Sequence, residues 1–193
     1  MRTPRERAWK FLSGVTYLRV LLVPVVMALV LRGNDTAHAF PVAGALFALA
    51  ALTDFFDGFL ARRWAQTTTL GTFLDTTADK LLVSGVLLAL VAVGRASPWL
   101  AFLIVGRELV ILGLRGAVAA DGTVMKPSPL GKVKANVQFV AVFLAIVRTS
   151  GRVGPWYPDE YVMLLAAVLT VLSAVEYLAR FSGVFSPARP RSS

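Results

Sequence analysis

Long apolar runs separated by short polar segments fill most of the chain. Each run has about the ~20 residues needed to cross the hydrocarbon core of a bilayer, although the fifth is shorter. Inside a membrane only α-helices satisfy the backbone of such runs. The pattern predicts an all-α integral membrane protein with six transmembrane helices and short connections. The first run ends near Leu31, and the others cover Phe40–Ala61, Leu70–Gly94, Trp99–Ala120, Val133–Val147 and Tyr161–Ala179.

The apolar runs also set the expected domain organisation. Residues 1–185 are expected to form one six-helix catalytic domain that opens with a short amphipathic N-terminal segment. The remaining residues, 186–193, are rich in Pro, Arg and Ser and predict a flexible basic tail.

Composition supports a membrane environment and excludes several kinds of site. Hydrophobic residues make up 56% of the 193 positions and charged residues 16%, which is more apolar surface than a small soluble globule can hide. The absence of cysteine excludes disulfides and thiolate chemistry, and the single histidine, His38, excludes a His-based metal site.

The formal net charge of +9 has to be explained by a membrane or by nucleic acid. Nucleic-acid-binding proteins cluster Lys and Arg on a polar face, whereas the basic residues here lie between apolar runs. No nucleic-acid partner is therefore expected. Successive connections between six spans lie on opposite sides of the membrane. The side that also holds both termini carries twelve Lys and Arg, and the other side carries four. Because cytoplasmic connections are rich in Lys and Arg, this difference predicts a cell membrane protein with its termini in the cytoplasm. The four are Arg32, Arg95, Arg148 and Arg152.

The second and third apolar runs carry Asp54, Asp57, Asp75 and Asp79. A charge within a membrane span is costly, so an intramembrane carboxylate indicates function by default. The spacings i, i+3 and i, i+4 place each pair on one helix face. Folding the two runs as an antiparallel hairpin about Gln66 would bring Asp57 level with Asp75 and Asp54 level with Asp79, on the cytoplasmic half of the bundle.

Four converging carboxylates repel one another and need cations to stay ionised. Oxygen ligands without His or Cys suit Mg²⁺ or Mn²⁺. Four carboxylates suffice for two ions that share ligands, and a two-metal site activates both oxygens of a phosphoryl transfer. The alternative is a metal-ion or proton transporter, because intramembrane carboxylates also mark ion pathways. The absence of an internal repeat and the off-centre position of the cluster favour the enzyme.

Small residues share the helix faces of the aspartates. Gly58 and Ala61 continue the stripe of Asp54 and Asp57, and Gly71 precedes Asp75 by one turn. Small residues are common at helix contacts in membranes. Beside four aspartates, they also leave room for a bulky ligand.

These positions carry a resemblance to a known family. Asp54-x-x-Asp57-Gly58-x-x-Ala61-Arg62, followed after eight residues by Gly71-x-x-x-Asp75-x-x-x-Asp79, resembles the signature of the CDP-alcohol phosphatidyltransferases. The resemblance implies that fold over nearly the whole chain, with CDP-diacylglycerol as lipid substrate and a homodimer in the membrane.

The resemblance also implies a role for each position. Asp54, Asp57 and Asp75 would hold the first metal, and Asp54, Asp75 and Asp79 would approach the second. Asp79 would in addition be the general base that takes the proton of the acceptor hydroxyl. The CDP site would be lined by Gly58, Ala61, Arg62 and Gly71.

Four cations beyond the signature point to the acceptor. Arg107 and Arg115 lie eight residues apart on the fourth run, and Lys132 and Lys134 follow the next polar connection. Arg and Lys side chains suit a phosphate. By the predicted orientation Arg115 and both lysines lie near the cytoplasmic side and Arg107 lies deeper.

These stretches resemble the subgroup of the family whose acceptor is glycerol 3-phosphate and whose product is phosphatidylglycerophosphate. Inositol phosphate, phosphatidylglycerol and serine are the acceptors of the alternative sister enzymes. The structural alternative is that Arg107 pairs with an aspartate or with Glu108, and that the lysines anchor the chain at the membrane interface.

Overall fold

The computed structural model describes the backbone of residues 4–63, 69–120 and 128–180, and within these ranges the side chains other than those of residues 4–13, 15, 54–63, 69–75 and 120. This part of the chain forms six α-helices, and the prediction of six helices is confirmed there. The helices are α1 (Pro4–Leu31), α2 (Ala39–Arg63), α3 (Thr69–Ala92), α4 (Pro98–Ala120), α5 (Pro129–Val147) and α6 (Pro158–Arg180).

The helices α5 and α6 begin four and three residues earlier than the apolar runs predict, because polar residues cap them. At the start of α5, Ser128 Oγ accepts a hydrogen bond from the backbone N–H of Gly131 at 2.9 Å, and Pro129 occupies the first turn, where its missing N–H costs nothing. At the start of α6, the Glu160 carboxylate accepts a hydrogen bond from the Tyr157 N–H at 2.9 Å. Acidic residues in a first turn also stabilise a helix by their attraction to the positive end of its dipole.

Glycines allow two pairs of helices to approach closely. A Cβ atom added to Gly85 on α3 would lie 2.9 Å from both Met27 Sδ and Val23 Cγ1 on α1. One added to Gly44 on α2 would lie 2.8 Å from Val147 Cγ1 on α5. Close approach at small residues is the usual way in which membrane helices gain packing energy. The most extensive helix contacts are those of α1 with α3 and of α5 with α6.

Several polar groups are buried inside the bundle beside its apolar core, and many large apolar side chains lie on its outer surface. Arg19, Lys134 and Thr170 are almost completely buried, whereas Phe102 is 70% exposed and Leu109 is 63% exposed. Such a surface would associate in water, and a hydrocarbon phase solvates it.

Arginines join the connections at one end of the bundle. Arg95, between α3 and α4, donates to the carbonyl of Ile146 at 2.6 Å, and its guanidinium lies 3.4 Å from the ring centre of Phe40. Arg148 donates to the carbonyl of Arg95 at 2.9 Å and to Asp159 Oδ2 at 2.7 Å. Burial, helped by the charge of Arg148, lowers the pKa of Arg95. The starts of α2, α4 and α6 and the ends of α3 and α5 therefore meet here.

Two of the helices, α5 and α6, are long and apolar enough to cross a membrane by length and composition. Shorter apolar helices cover Thr16–Leu31 and Ala39–Thr53. Charged residues make the remaining two helices less apolar. Every stretch of spanning length in α3 contains Asp75, Asp79 and Lys80, and the central part of α4 contains Arg107 and Glu108.

Three predictions fall on residues that lie outside the described part of the chain. These are the turn about Gln66, the flexible tail at residues 186–193 and the start of the amphipathic segment at residues 1–3. From Pro4 onward that segment is continuous with α1.

Candidate active site

A cavity of about 190 Å³ opens between α3, α4, α5 and α6. Its size suits a small ligand, because a single water needs only roughly 10–15 Å³ and drug-sized ligands need about 300 Å³ or more. The predicted base, Asp79, and all four predicted acceptor cations line this one cavity. The polar side chains that line it are those of Asp79, Lys80, Arg107, Glu108, Arg115, Lys132, Lys134, Gln138 and Tyr177.

The cavity lies in the half of the bundle opposite the Arg95 connection. Asp79 is ten residues from the start of α3, or about 15 Å at 1.5 Å per residue, and Arg115 is five residues, or about 7.5 Å, from the end of α4. Lys134 is in the second turn of α5 and Tyr177 is in the last turn of α6. Four helices thus contribute residues to one polar site.

The carboxylate of Glu108 is the centre of the charge arrangement in this cavity. Its Oε2 accepts from the Lys80 ammonium group on α3, and its Oε1 accepts from the Lys134 ammonium group on α5. The same Oε1 accepts from Arg107 Nη1 at 3.1 Å. Glu108 is only 5% exposed and Lys134 only 2% exposed, so the ion pairs lie within the bundle.

Arg107 is held in place by contacts on several sides. Besides Glu108, its Nη2 donates to Ser173 Oγ on α6 at 2.6 Å, and its guanidinium lies 5.5 Å from the ring centre of Tyr177. The pairing of Arg107 with Glu108 is the structural alternative that the sequence left open. The structure shows this pairing together with a position on the cavity wall.

Arg107 lies thirteen residues before the end of α4 and Lys134 lies five residues after the start of α5, so the predicted difference in their depth in the membrane stays a prediction. Both side chains reach the same carboxylate, because Glu108 lies beside Arg107 on α4 and the long Lys134 side chain extends to it from the second turn of α5. Burial also argues against an interfacial anchor at Lys134. Lys132, two residues earlier, is exposed and lines the cavity at its edge.

Sequence reasoning missed the contribution of α6. Gln138 Nε2 on α5 donates to Thr170 Oγ1 at 2.9 Å, and the backbone N–H of Ser128 donates to the Tyr177 hydroxyl at 3.3 Å. Thr170, Ser173 and Tyr177 recur at i, i+3 and i+7 on a helix that is largely apolar between its charged ends. That polar stripe is the signal that could have identified them.

For three of the four predicted metal ligands, Asp54, Asp57 and Asp75, the structure describes the position of the backbone only. Asp54 and Asp57 lie among the last ten residues of α2, and Asp75 lies four residues before Asp79 on α3. The predicted nucleotide-binding positions are on the same two helices, Gly58, Ala61 and Arg62 on α2 and Gly71 on α3. All of these side chains except that of Asp79 lie outside the described set, so their convergence stays a prediction.

Known proteins resemble this chain over most of its length. The sequence model of the family described as CDP-alcohol phosphatidyltransferase matches residues 13–172. A protein of Mycobacterium tuberculosis named probable phosphatidylglycerophosphate synthase is 40% identical over 178 residues, covering 91% of this chain and 83% of that protein. A Bacillus subtilis protein named CDP-diacylglycerol–glycerol-3-phosphate 3-phosphatidyltransferase is 34% identical over 179 residues, covering 87% of this chain and 93% of that protein. A Salmonella typhimurium protein of the same name is 37% identical over 174 residues, covering 88% of this chain and 93% of that protein.

Proposed function

Because the chain belongs to the CDP-alcohol phosphatidyltransferase family, we propose that it transfers the phosphatidyl group of CDP-diacylglycerol to glycerol 3-phosphate, giving phosphatidylglycerophosphate and CMP. Relatives whose names state this reaction or its product cover most of the chain. The protein is thus an enzyme of phospholipid biosynthesis.

The observation that carries the choice of acceptor is the charge of the cavity. Five basic side chains line it and only two acidic ones, Glu108 and the proposed base, Asp79. A phosphate monoester carries up to two negative charges and offers several acceptor oxygens to Arg and Lys. Glycerol 3-phosphate supplies this group and a free hydroxyl in a molecule small enough for the cavity.

Asp79 and the cations divide the chemistry between them. The cations, Arg107, Arg115, Lys132 and Lys134, bind the acceptor phosphate, which directs the acceptor hydroxyl towards Asp79. Asp79 takes the hydroxyl proton as the oxygen attacks the phosphorus that carries the diacylglycerol. A new P–O bond forms to the acceptor, and the P–O bond to CMP breaks.

The four aspartates on α2 and α3 fit divalent cations by the chemistry of their donors, which are hard carboxylate oxygens with no His or Cys among them. Asp54, Asp57 and Asp75 would hold one Mg²⁺ or Mn²⁺, and Asp54, Asp75 and Asp79 a second. When bound, such ions polarise the diphosphate and stabilise the charge on departing CMP. Gly58, Ala61, Arg62 and Gly71 are proposed to line the CDP site next to them.

The proposal places all six helices across the cell membrane, with the termini and the active site facing the cytoplasm. The four basic residues on the other side include Arg95 and Arg148, which lie at the bundle end opposite the cavity. This arrangement follows the positive-inside rule. The acyl chains of the lipid substrate would remain in the bilayer while CDP and the acceptor meet at the cavity. A homodimer is proposed as for the family.

The same cavity would suit inositol phosphate, which is the strongest alternative acceptor. Serine and the glycerol headgroup of phosphatidylglycerol need fewer cations. The deciding experiment incubates the purified protein with labelled CDP-diacylglycerol, a divalent metal and each acceptor in turn. We expect labelled phosphatidylglycerophosphate and an equal amount of CMP with glycerol 3-phosphate. Transfer to inositol phosphate but not to glycerol 3-phosphate would overturn the proposed acceptor.

A further inference from the structure

An acidic side chain stands among the cations that are proposed to bind a phosphate. Glu108 lines the cavity, and a carboxylate repels an anionic ligand at close range. Phosphate binding alone therefore gives no reason for its presence. Its contacts supply one, because they connect three helices through three different cations.

Each cation reaches Glu108 from a different direction. Lys80 comes from α3, where it directly follows Asp79, and Lys134 comes from α5. Arg107 is the preceding residue on α4 and is held from its other side by Ser173 at 2.6 Å. Through Glu108, the helix that carries the proposed base is tied to the two helices that carry the proposed phosphate ligands.

Burial makes these contacts obligatory. The Lys134 side chain is 3% exposed, the Glu108 side chain 6% and the Arg107 side chain 9%. Like charges in so dry a place repel strongly and cannot turn outward to water. The shared carboxylate offsets the repulsion between Arg107 and Lys134, and it also binds Lys80, whose side chain is 21% exposed.

We propose that Glu108 is a positioning residue of the acceptor site, whose carboxylate sets the places of Lys134 and Arg107 for the acceptor phosphate and fixes them relative to Asp79 through Lys80. This inference rests on the proposed function. Glu108 itself does not touch the reacting atoms. Its contribution is to the geometry and charge of the side chains that do.

The first test compares Glu108→Gln with Glu176→Gln. Glu176 is a matched control, because it also pairs with an arginine, Arg180 at 2.8 Å, but its side chain is more exposed, at 28%, and it does not line the cavity. We expect Glu108→Gln to raise the KM for glycerol 3-phosphate at least tenfold, with less than a twofold change in the KM for CDP-diacylglycerol. Glu176→Gln should change neither. Equal effects on both substrates, or an unchanged KM for glycerol 3-phosphate, would overturn the proposal.

A double-mutant cycle separates positioning from general stabilisation. If Glu108 acts by positioning Lys134, Glu108→Gln should raise the KM for glycerol 3-phosphate little further once Lys134→Gln is present. The effects of substitutions within one network of contacts are not additive. For single variants that each raise the KM about 30-fold, the double variant is then expected near 30-fold, and independent action would give about 900-fold. An increase in KM of about 900-fold in the double variant would contradict the proposal.

Glu108→Asp provides a second test in case Glu108→Gln fails to fold. It retains the negative charge on a shorter side chain, so a raised KM confined to glycerol 3-phosphate again supports positioning, and an unchanged KM again excludes it. The unmodified protein distinguishes the two proposals. If it forms no phosphatidylglycerophosphate, the proposed function has failed. If it is active and the Glu108 variants match it, only the role of Glu108 has failed.

Discussion

Lys134 on α5 donates a hydrogen bond to the buried carboxylate of Glu108 on α4, so that an ion pair lies inside the helical bundle beside the cavity. Breaking such a pair on one side leaves an uncompensated buried charge, which is far more costly than losing a surface pair. The contact therefore connects the stability of the bundle to the charge of the proposed acceptor site.

Asp79→Asn should reduce turnover by about 100-fold or more, because a positioned general base contributes about 10²–10⁴ to the rate. The amide keeps the size of the side chain but cannot take a proton. Binding of CDP-diacylglycerol should be largely retained, as measured by equilibrium binding beside an assay of CMP release. Asp35→Asn, in the exposed connection after α1, is the control. A normal rate for Asp79→Asn would exclude Asp79 as the base.

Removal of divalent ions should abolish CMP release. Four carboxylates without bound cations would repel one another and would leave the charge on departing CMP unbalanced. The measurement is activity after chelation and dialysis, followed by the addition of Mg²⁺ or Mn²⁺, either of which should restore it. Full activity after thorough chelation would refute the metal site.

Arg115→Ala should raise the KM for glycerol 3-phosphate about tenfold or more, since a hydrogen bond to a charged group contributes about 1.5–3 kcal/mol. The KM for CDP-diacylglycerol should change much less. Arg180→Ala is the matched control, because Arg180 belongs to the exposed pair with Glu176. Equal increases in both KM values for Arg115→Ala would argue against an acceptor role.

Arg148→Ala should destabilise the protein by about 3–5 kcal/mol, the usual cost of leaving one member of a buried ion pair without its partner. Its partner Asp159 is only 3% exposed, and the Arg148 side chain is 13% exposed. Arg180→Ala at the exposed pair should cost less than about 0.5 kcal/mol. Thermal unfolding in detergent measures both variants. Similar unfolding temperatures would show that the Arg148 contact contributes little.

Gly85→Val should destabilise the packing of α1 on α3 by about 1–3 kcal/mol, because the added atoms would displace Met27 and Val23. Gly113→Val provides the comparison, since a Cβ at Gly113 meets nothing within 4 Å. The unfolding temperature should fall for the first variant and stay nearly constant for the second. Equal behaviour would mean that the approach of the two helices is not tight at Gly85.

The positions of the helices could be predicted because each depends on local sequence. The predicted segment Phe40–Ala61 became α2 (Ala39–Arg63), and Trp99–Ala120 became α4 (Pro98–Ala120). The starts of α5 and α6 were missed by four and three residues. There the helix begins in polar residues that cap it, and hydrophobicity alone does not detect a cap.

The partners inside the bundle could not be predicted in the same way. Spacing placed Arg107 and Arg115 on one face of α4, and both line the cavity. It gave no means of deciding that Lys80, Arg107 and Lys134 would share Glu108, because that depends on how three helices rotate and cross. The contribution of Ser173 depends on the packing of α6 against α4 and α5.

The sequence alone determined the six helices and the types of residue available for chemistry, since apolar length and the unusual cost of intramembrane charges are properties of the chain itself. It also contained the signature that identifies the family. Only the tertiary structure decided that Asp79 and the four cations line one cavity and that a buried glutamate holds several of the cations together. Helix rotation and crossing arise from contacts between residues far apart in the chain, and no local pattern specifies them.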